Sequence, residues 1–395
     1  MGDQNAGKGD VFMGKSFKIN VPDEIIALIR RRVADFPWHE MPDDGGWDYG
    51  TNLDYMKELC SYWVESYDWK KHEEQMNTFD HFKAQVDGIE MHYILEKGSG
   101  ESPMPLLISH GWPGSFVESL SIIEKLAHPE RFGGNVEDAF DVIVPSLPGF
   151  GFSGRPPRPY GPRAMAAVLN DLMVDVLNYD SYYAQGGDWG SAICSWLGYD
   201  HFEHCKAIHI SFPTMRHVDG PQTPEEEAWV ESCGTLPGIV LQDGYRTQQA
   251  TKPQTLSYAM MDSPVGLAAW IVEKFHAWSD IDGDNVESAH SKDGMLTNIM
   301  VYIVTRTFNT STWIYYGRRE EGGRILGTKE RPRVDVPTAA AIFPAESFPW
   351  PPRSYAERLY NIQRWTRFPR GGHFASLEEP ENLVNDIVQF ARSFR

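Results

Sequence analysis

Two kinds of apolar run predict strands along this chain. Some runs alternate apolar with polar positions, which is typical of strands with one solvated face, and others are continuously apolar, as in strands buried on both faces. Asp87-Gly88 joins the first two runs and is typical of a tight hairpin turn. The predicted strands are residues 82–86, 89–94, 105–109, 141–144, 182–184, 207–212, 339–343 and 360–365.

Helical periodicity fills most of the intervals between these strands. The helix at 23–33 is the clearest example, because Pro22 and two acidic residues lie at its start, arginines lie near its end, and its apolar residues form one broad face. Alternating strands and helices of these lengths indicate βαβ units and a mainly parallel sheet, which is an α/β fold. The predicted helices are residues 23–33, 53–66, 164–177, 191–199, 266–277, 296–308 and 380–394, with a further helix starting at 117.

The order of these elements divides the chain into four segments. Residues 1–80 precede the first convincing strands and predict an N-terminal arm, with a loose tail at 1–15. Residues 81–212 and 336–395 carry the alternation of strands and helices and predict the two parts of one core. Residues 213–335 lose this alternation and become mostly helical, so we predict an inserted helical cap there.

Charge and composition narrow the functional classes. The chain has 395 residues with 36 basic and 55 acidic side chains, a net charge of −19 that argues against nucleic acid or an anionic membrane surface as a partner. No apolar run approaches the roughly 18 residues of a membrane span, and the polar, Gly-rich start is no signal peptide. The four cysteines show no CxxC spacing, which favours free thiols in a reducing compartment. We therefore expect a soluble, cytoplasmic protein and leave a homodimer open.

A turn between the predicted strand at 182–184 and the predicted helix at 191–199 carries the first candidate for chemistry. Gly186-Gly187-Asp188-Trp189-Gly190 has the form of a nucleophile elbow, in which a strained turn presents its central side chain above the sheet. Glycines two positions before and after Asp188 allow the close approach of strand and helix. A carboxylate at the centre can attack carbon and form an ester. The alternative is a Gly-rich αβ turn whose aspartate only caps the helix.

The second part of the core, residues 336–395, contains candidate catalytic partners for Asp188. His373 follows a pair of glycines in a loop before the last helix, and Glu346 follows the strand at 339–343. The order nucleophile, acid and histidine is that of α/β-hydrolases, although each residue alone could be a satisfied histidine or a solvated loop charge. The N–H groups of Trp112 and Trp189 are the expected donors of an oxyanion hole.

The sequence contains no motif typical of metal-dependent or dinucleotide-dependent enzymes. No HExxH motif and no paired Cys/His spacing occurs, so we expect no metal. No GxGxxG motif follows a strand, so we expect no dinucleotide cofactor.

Four motifs taken together resemble the microsomal-type epoxide hydrolases, and the similarity runs from Phe17 to the end of the chain. They are His110-Gly111-Trp112-Pro113-Gly114-Ser115, Gly186-Gly187-Asp188-Trp189-Gly190-Ser191, Phe343-Pro344-Ala345-Glu346 and Gly371-Gly372-His373-Phe374-Ala375. In that family the aspartate opens the epoxide and two tyrosines of the cap hold its oxygen. The resemblance places these roles on Tyr245 and Tyr315, with Tyr316 as the alternative one position further on.

The resemblance implies an α/β-hydrolase fold with a helical cap, converting a small hydrophobic epoxide and water to a vicinal diol without a cofactor. The membrane-anchoring N-terminal segment of the animal enzymes is missing, which implies a soluble microbial, fungal-like relative. A haloalkane-type dehalogenase also uses an aspartate nucleophile. Such an enzyme would need N–H donors from tryptophan or asparagine in the cap to bind the halide, where this chain has the two matched tyrosines. A non-catalytic carrier of hydrophobic ligands on a hydrolase scaffold is the alternative from another class.

Overall fold

A nine-stranded sheet forms the centre of the protein in the computed structural model, which describes residues 14–395. Two further short strands pair with each other outside this sheet. The strands in residues 14–395 are β1 (Lys15–Phe17), β2 (His81–Val86), β3 (Ile89–Glu96), β4 (Met104–Ser109), β5 (Phe140–Pro145), β6 (Tyr182–Gly186), β7 (Cys205–Ile210), β8 (Arg216–His217), β9 (Ile325–Leu326), β10 (Val334–Ile342) and β11 (Tyr360–Arg367). The predicted loose tail lies outside the described residues up to position 13, and Lys15 already belongs to β1.

The sheet is antiparallel at one side and parallel over the rest. Its order is β1-β2-β3-β5-β4-β6-β7-β10-β11, and the pairs from β1 to β5 are antiparallel, whereas those from β5 to β11 are parallel. Parallel neighbours need long crossover connections, which the helices between the strands provide. The predicted mainly parallel α/β-hydrolase fold is confirmed. Strand β10 begins at Val334, two residues before the position 336 at which the second part of the core is predicted to start.

Helices cover the sheet and fill the segment between β7 and β10. The α-helices of residues 14–395 are α1 (Asp23–Ala34), α2 (Leu53–Glu65), α3 (Trp69–Met76), α4 (Leu120–Ala127), α5 (Pro162–Asp171), α6 (Asp188–Asp200), α7 (Pro224–Thr235), α8 (Pro237–Gln242), α9 (Gly244–Thr251), α10 (Pro253–Met260), α11 (Pro264–Trp278), α12 (Lys292–Thr305), α13 (Phe308–Ser311), α14 (Trp313–Glu320), α15 (Arg353–Leu359), α16 (Ala375–Glu378) and α17 (Pro380–Ala391). Short 3-10 or π-helical turns are Phe116–Ser119, Pro129–Phe132, Val136–Asp138, Leu172–Val176 and Val286–Ser288. No helix among the described residues is long and apolar enough to cross a bilayer.

The helix predicted at 296–308 is wrong at its C-terminal end. Helix α12 stops at Thr305, because Arg306 takes a left-handed conformation with φ of 58° and its N–H closes the last turn on Ile303. The chain then reverses into α13 and α14. Apolar periodicity continues through this point, so it gave no sign of the break.

The N-terminal arm contacts both the sheet and the cap helices. Strand β1 extends the sheet by pairing with β2, so the predicted arm is not wholly separate from the core. The hydroxyl of Thr51 donates to the carbonyl of Ala269 on α11 at 2.7 Å, and the Tyr67 hydroxyl lies 3.0 Å from that of Thr297 on α12. The arm therefore fixes the position of two cap helices.

A buried carboxylate ties the last helix to the edge of the sheet. Asp386 on α17 is 1% exposed and accepts hydrogen bonds from Arg364 Nε at 2.7 Å and from Thr366 Oγ1 at 2.7 Å. His209 Nε2 on β7 lies 3.0 Å from its other oxygen. Burial alone would raise the pKa of Asp386, but the bonds from His209, Thr366 and Arg364 lower it to about 2. The charge is therefore fully matched by its neighbours.

Replacing Asp386 with alanine is expected to lower the free energy of unfolding by about 1–3 kcal/mol, because the buried His209 loses a hydrogen-bond partner and the partly exposed Arg364 loses its ion pair. Urea titration followed by tryptophan fluorescence measures the loss. Glu381→Ala on the same helix is the control, since that side chain is 75% exposed and its removal should change stability by less than about 0.5 kcal/mol. Equal losses in the two variants would contradict the role of the Asp386 network.

Candidate active site

The turn between β6 and α6 holds Asp188 in a strained conformation. Asp188 has φ of 45°, a left-handed value that is uncommon for a residue other than glycine. A Cβ at position 190 would lie 1.9 Å from the carbonyl oxygen of Ser109, and one at position 186 would lie 2.3 Å from Gly190. Both positions therefore require glycine. The predicted helix starts at Asp188 rather than at 191, so the side chain stands at the N-terminus of α6.

Two backbone N–H groups hold the Asp188 carboxylate. Trp112 N donates to Asp188 Oδ1 at 2.7 Å, and the Trp189 N–H also interacts with the carboxylate. Burial raises the pKa of Asp188, and this outweighs the lowering by His373 and by the two N–H groups. A side chain at Gly111 would place its Cβ 2.2 Å from Asp188 Oδ1, so the loop can approach the carboxylate only at a glycine. The two N–H groups expected from the sequence as an oxyanion hole thus both interact with the Asp188 carboxylate.

Cap helix α12 anchors the loop that carries Trp112. Asn298 Nδ2 donates to the carbonyl of Pro113 at 2.8 Å, and the Tyr302 hydroxyl donates to the carbonyl of Gly114 at 2.6 Å. Ser115 Oγ donates to Asn298 Oδ1 at 2.8 Å. Sequence reasoning missed this connection because the partners are more than 180 residues apart.

His373 lies between Glu346 and Asp188. Its Nδ1 is 2.9 Å and 3.0 Å from the two oxygens of Glu346, and its Nε2 is 3.6 Å from Asp188 Oδ2. Burial would lower the pKa of His373, but the charge and hydrogen bond of Glu346, with Asp188 and Glu118, raise it to about 9. The resting imidazole is therefore protonated at neutral pH. The structure brings together the three residues predicted as nucleophile, acid and base.

The loop around His373 depends on a residue that the sequence did not indicate. The Glu378 carboxylate accepts hydrogen bonds from the backbone N–H groups of Gly372 at 2.9 Å and Phe374 at 2.8 Å, on either side of His373. It also accepts from the N–H of Asp280, just beyond α11, at 2.7 Å. In the sequence, Glu378 looks like an ordinary acidic residue before a helix. Its three backbone contacts in the structure show that it positions the loop around His373.

Two cap tyrosines close the space in front of Asp188. Tyr245 on α9 stacks on Trp112 with ring centroids 5.3 Å apart, and Tyr315 on α14 packs edge-on against Trp189 at 4.7 Å. Both line a cavity of about 300 Å³ together with Asp188 and His373. Burial raises the pKa of each phenol, so both are protonated at neutral pH.

The two tyrosine alternatives differ in position. The Tyr315 hydroxyl is buried and interacts with the side chains of Tyr245 and Trp189, but it forms no hydrogen bond of regular geometry with any residue in the described part of the chain. Tyr316 instead lies beneath the guanidinium of Arg319, 4.4 Å from its ring, and is not among the residues that line the cavity. The geometry therefore favours Tyr315 over Tyr316.

Known families and relatives match nearly the whole chain. The family model described as the epoxide hydrolase N terminus matches residues 14–119, and that of the alpha/beta hydrolase fold matches residues 104–380. A protein of Stigmatella aurantiaca (strain DW4/3-1) is 37% identical over 383 residues, which cover 96% of this chain and 85% of the relative. Epoxide hydrolase 1 of Sus scrofa is 35% identical over 401 residues, with 95% of this chain and 88% of the relative covered. The chain belongs to the epoxide hydrolase family.

Solved epoxide hydrolase structures have the same fold. The Aspergillus niger epoxide hydrolase superimposes with a TM-score of 0.82 at 26% sequence identity, covering 98% of this chain and 97% of that one. The resemblance stated from the four sequence motifs is confirmed. Within residues 14–395 of this epoxide hydrolase, no group of three or more His, Cys, Asp or Glu side chains is placed to hold a metal ion.

A second, small cavity lies beside His373 in this member of the epoxide hydrolase family. It measures about 30 Å³ and is lined by Glu118, Ser109 and His373, among others. Burial raises the pKa of Glu118 to about 8, and the nearby charge of Asp188 raises it too, although His373 lowers it. Ser109 Oγ is buried and has no partner among the described residues. The cavity is polar and large enough for one water molecule.

Arginines of the cap also line the large cavity, which the sequence analysis did not foresee. Arg246 on α9, Arg318 on α14 and Arg324 just before β9 are all part of its wall. They lie far apart in sequence and on separate elements, so no local pattern could identify them.

Proposed function

We propose that the protein hydrolyses small epoxides to vicinal diols through a covalent ester on Asp188. The observation that carries this proposal is the placement of one carboxylate opposite two protonated phenols across a cavity of about 300 Å³. An epoxide in that space would meet a nucleophile at carbon and proton donors at oxygen. Membership in the epoxide hydrolase family supports the same reaction.

In the first step, Asp188 Oδ2 attacks a ring carbon and the carbon–oxygen bond of the epoxide breaks. A carboxylate is ionised without a base, so His373 is not needed here. The departing alkoxide is a strong base, and Tyr245 and Tyr315 donate hydrogen bonds and a proton to it. The product of this step is an ester between Asp188 and the opened substrate.

In the second step, water attacks the ester carbonyl. The ester carries no charge, so the contribution of Asp188 to the raised pKa of His373 disappears. The imidazolium then loses its proton to solvent more readily, which leaves the neutral imidazole that can accept a proton. His373 Nε2 accepts the proton of the water, and Glu346 stabilises the resulting cation at Nδ1. The N–H groups of Trp112 and Trp189 stabilise the tetrahedral oxyanion. On collapse, the bond between the ester carbon and the substrate oxygen breaks, and His373 gives its proton to that oxygen as the diol leaves. The carboxyl group of Asp188 then ionises, and the tyrosine and His373 regain their protons from solvent.

One observation bears on the dehalogenase alternative. The indole Nε1 group of Trp112 is buried and has no partner among residues 14–395, whereas that of Trp189 is buried beside the Tyr315 hydroxyl. Indole N–H groups can hold a leaving halide. A halide leaves as a stable anion, however, and needs no proton donor. The phenols of Tyr245 and Tyr315 therefore favour the epoxide. Binding a hydrophobic ligand without chemistry does not require a strained Asp188 or a paired His373 and Glu346, so these features argue against a carrier.

The test is a small panel of styrene oxide, 1,2-epoxyhexane and 1-bromohexane. We expect diols from the epoxides and no bromide, and Asp188→Ala should abolish diol formation because it removes the nucleophile. A single turnover with excess enzyme in heavy-oxygen water should give unlabelled diol first, since its new oxygen comes from Asp188. Bromide release without any diol would overturn the proposed function, and labelled diol in the first turnover would overturn the ester mechanism.

A further inference from the structure

Arginines without a carboxylate partner face the large cavity. Arg246 is paired with Asp243, with Arg246 Nη2 to Asp243 Oδ2 at 2.7 Å. The guanidiniums of Arg318 and Arg324 form neither an ion pair nor a hydrogen bond with any residue from 14 to 395. Among the residues that the structure describes, Asp188 and Asp243 are the only acidic ones on the cavity wall. An excess of positive charge therefore lies inside a protein whose net charge is −19.

The fold holds these arginines in place through aromatic faces. The guanidinium carbon of Arg318 is 4.7 Å from the ring centroid of Trp189, and that of Arg324 is 4.8 Å from the ring of Phe348. Stacking compensates a guanidinium only in part, because it leaves the N–H groups at the edge of the plane unused.

The short β8–β9 ladder brings a further arginine next to this pair. Arg216 N donates to the carbonyl of Arg324 at 2.8 Å, and the guanidinium of Arg216 is 5.4 Å from the same Phe348 ring. The register of the ladder thus places two like charges next to one aromatic side chain.

Without a ligand, burying these neighbouring positive charges lowers the stability of the folded protein. Burial lowers the pKa of Arg318 and of Arg324, and the neighbouring arginines lower both further. Guanidinium groups nevertheless stay charged in proteins, so the repulsion is not relieved by loss of a proton. The charge of Asp188 attracts Arg318, but the same carboxylate already accepts hydrogen bonds from two backbone N–H groups and interacts with His373. A bound anion would supply the missing partner.

We propose that the substrate is an epoxide carrying a carboxylate, which Arg318 and Arg324 bind while the oxirane lies between Asp188 and the two tyrosines. This inference rests on the proposed function. A guanidinium presents parallel N–H groups that match the two oxygens of a carboxylate. The size of the cavity, about 300 Å³, suits a compact molecule with both groups.

A matched pair of substrates tests the inference. 4-(Oxiran-2-yl)benzoate and 4-(oxiran-2-yl)benzamide have nearly the same shape and differ in charge. Wild-type kcat/KM should favour the benzoate by about tenfold or more, as expected for a hydrogen bond between charged groups. The ratio should fall to about one in Arg324→Gln and in Arg318→Gln, and Arg324→Lys should keep part of it. Arg319→Gln is the control, because Arg319 is 47% exposed and should leave the ratio unchanged.

A binding measurement separates this inference from the proposed function. Calorimetry with unreactive 4-ethylbenzoate and 4-ethylbenzamide should show tighter binding of the acid to wild-type protein. Because this comparison uses the wild-type protein, it does not depend on whether a variant folds. Diols formed from both epoxides without preference for the acid would overturn the inference and leave the proposed function intact. Arginine-dependent binding of 4-ethylbenzoate without diol from either epoxide would support the anion site and overturn the proposed function.

Discussion

Replacing His373 with glutamine is expected to stop the enzyme after one chemical step, with the substrate bonded to Asp188. The attacking carboxylate needs no base, whereas the water that hydrolyses the ester must lose a proton to Nε2. Loss of a general base typically slows a reaction by about 10²–10⁴-fold. Intact-protein mass spectrometry should therefore show one equivalent of added epoxide mass per protein, together with very slow steady-state turnover.

Two further variants define the role of His373. Glu346→Gln should accumulate the same ester but hydrolyse it faster than His373→Gln, because the base is still present and only its cation loses a partner. His204→Gln should behave as wild type, since His204 is half-buried outside the active-site cavity and its ring bonds the carbonyl of Asp180. A folded His373→Gln protein that binds epoxide without ever gaining its mass would mean that His373 acts during ring opening.

Removing both phenol groups is expected to abolish ring opening almost completely. Tyr245→Phe and Tyr315→Phe should each slow formation of the ester by about 10²-fold, and the double variant by about 10⁴-fold, since each hydroxyl donates to the developing alkoxide. Phenylalanine keeps the ring packing against Trp112 and Trp189, so the loss reports the hydroxyl alone. Rapid quenching followed by mass spectrometry measures ester formation directly.

Tyr316→Phe is the matched control for this pair. Tyr316 is next to Tyr315 on α14 but is absent from the cavity wall, so its hydroxyl should not affect ring opening. Wild-type rates of ester formation in a folded Tyr245→Phe, Tyr315→Phe double variant would show that the tyrosines only pack. A large loss in Tyr316→Phe would instead mean that the cap rearranges when substrate binds.

The parts of the site that depend on local sequence could be predicted. Glycines at 186 and 190 predicted the close approach at the elbow, because the turn is complete within five residues. The order of Asp188, Glu346 and His373 along the chain was informative because parallel strands bring their C-terminal ends to one edge of the sheet. The two cap tyrosines came from the family resemblance, since nothing in their local pattern distinguishes them from packing residues.

The parts that depend on how distant elements meet could not be predicted. Glu378 acquires its role from three backbone N–H groups, one of which lies 98 residues away in sequence. Arg318 and Arg324 become neighbours only when α14 and β9 fold over the nucleophile. The break at Arg306 had no sequence signal either, because apolar periodicity continued across it.

The anchoring of the catalytic loops on cap elements limits how the enzyme can move and unfold. Asn298 and Tyr302 of α12 hold the loop that carries Trp112, and the carbonyl of Trp278 at the end of α11 accepts the N–H of His373 at 2.8 Å. These two helices cannot swing away without breaking the contacts that hold Trp112 and His373. Any movement of the cap that admits substrate must therefore come from its other segments. For the same reason, α11, α12 and the sheet should lose amide-hydrogen protection together, as a single cooperative unit.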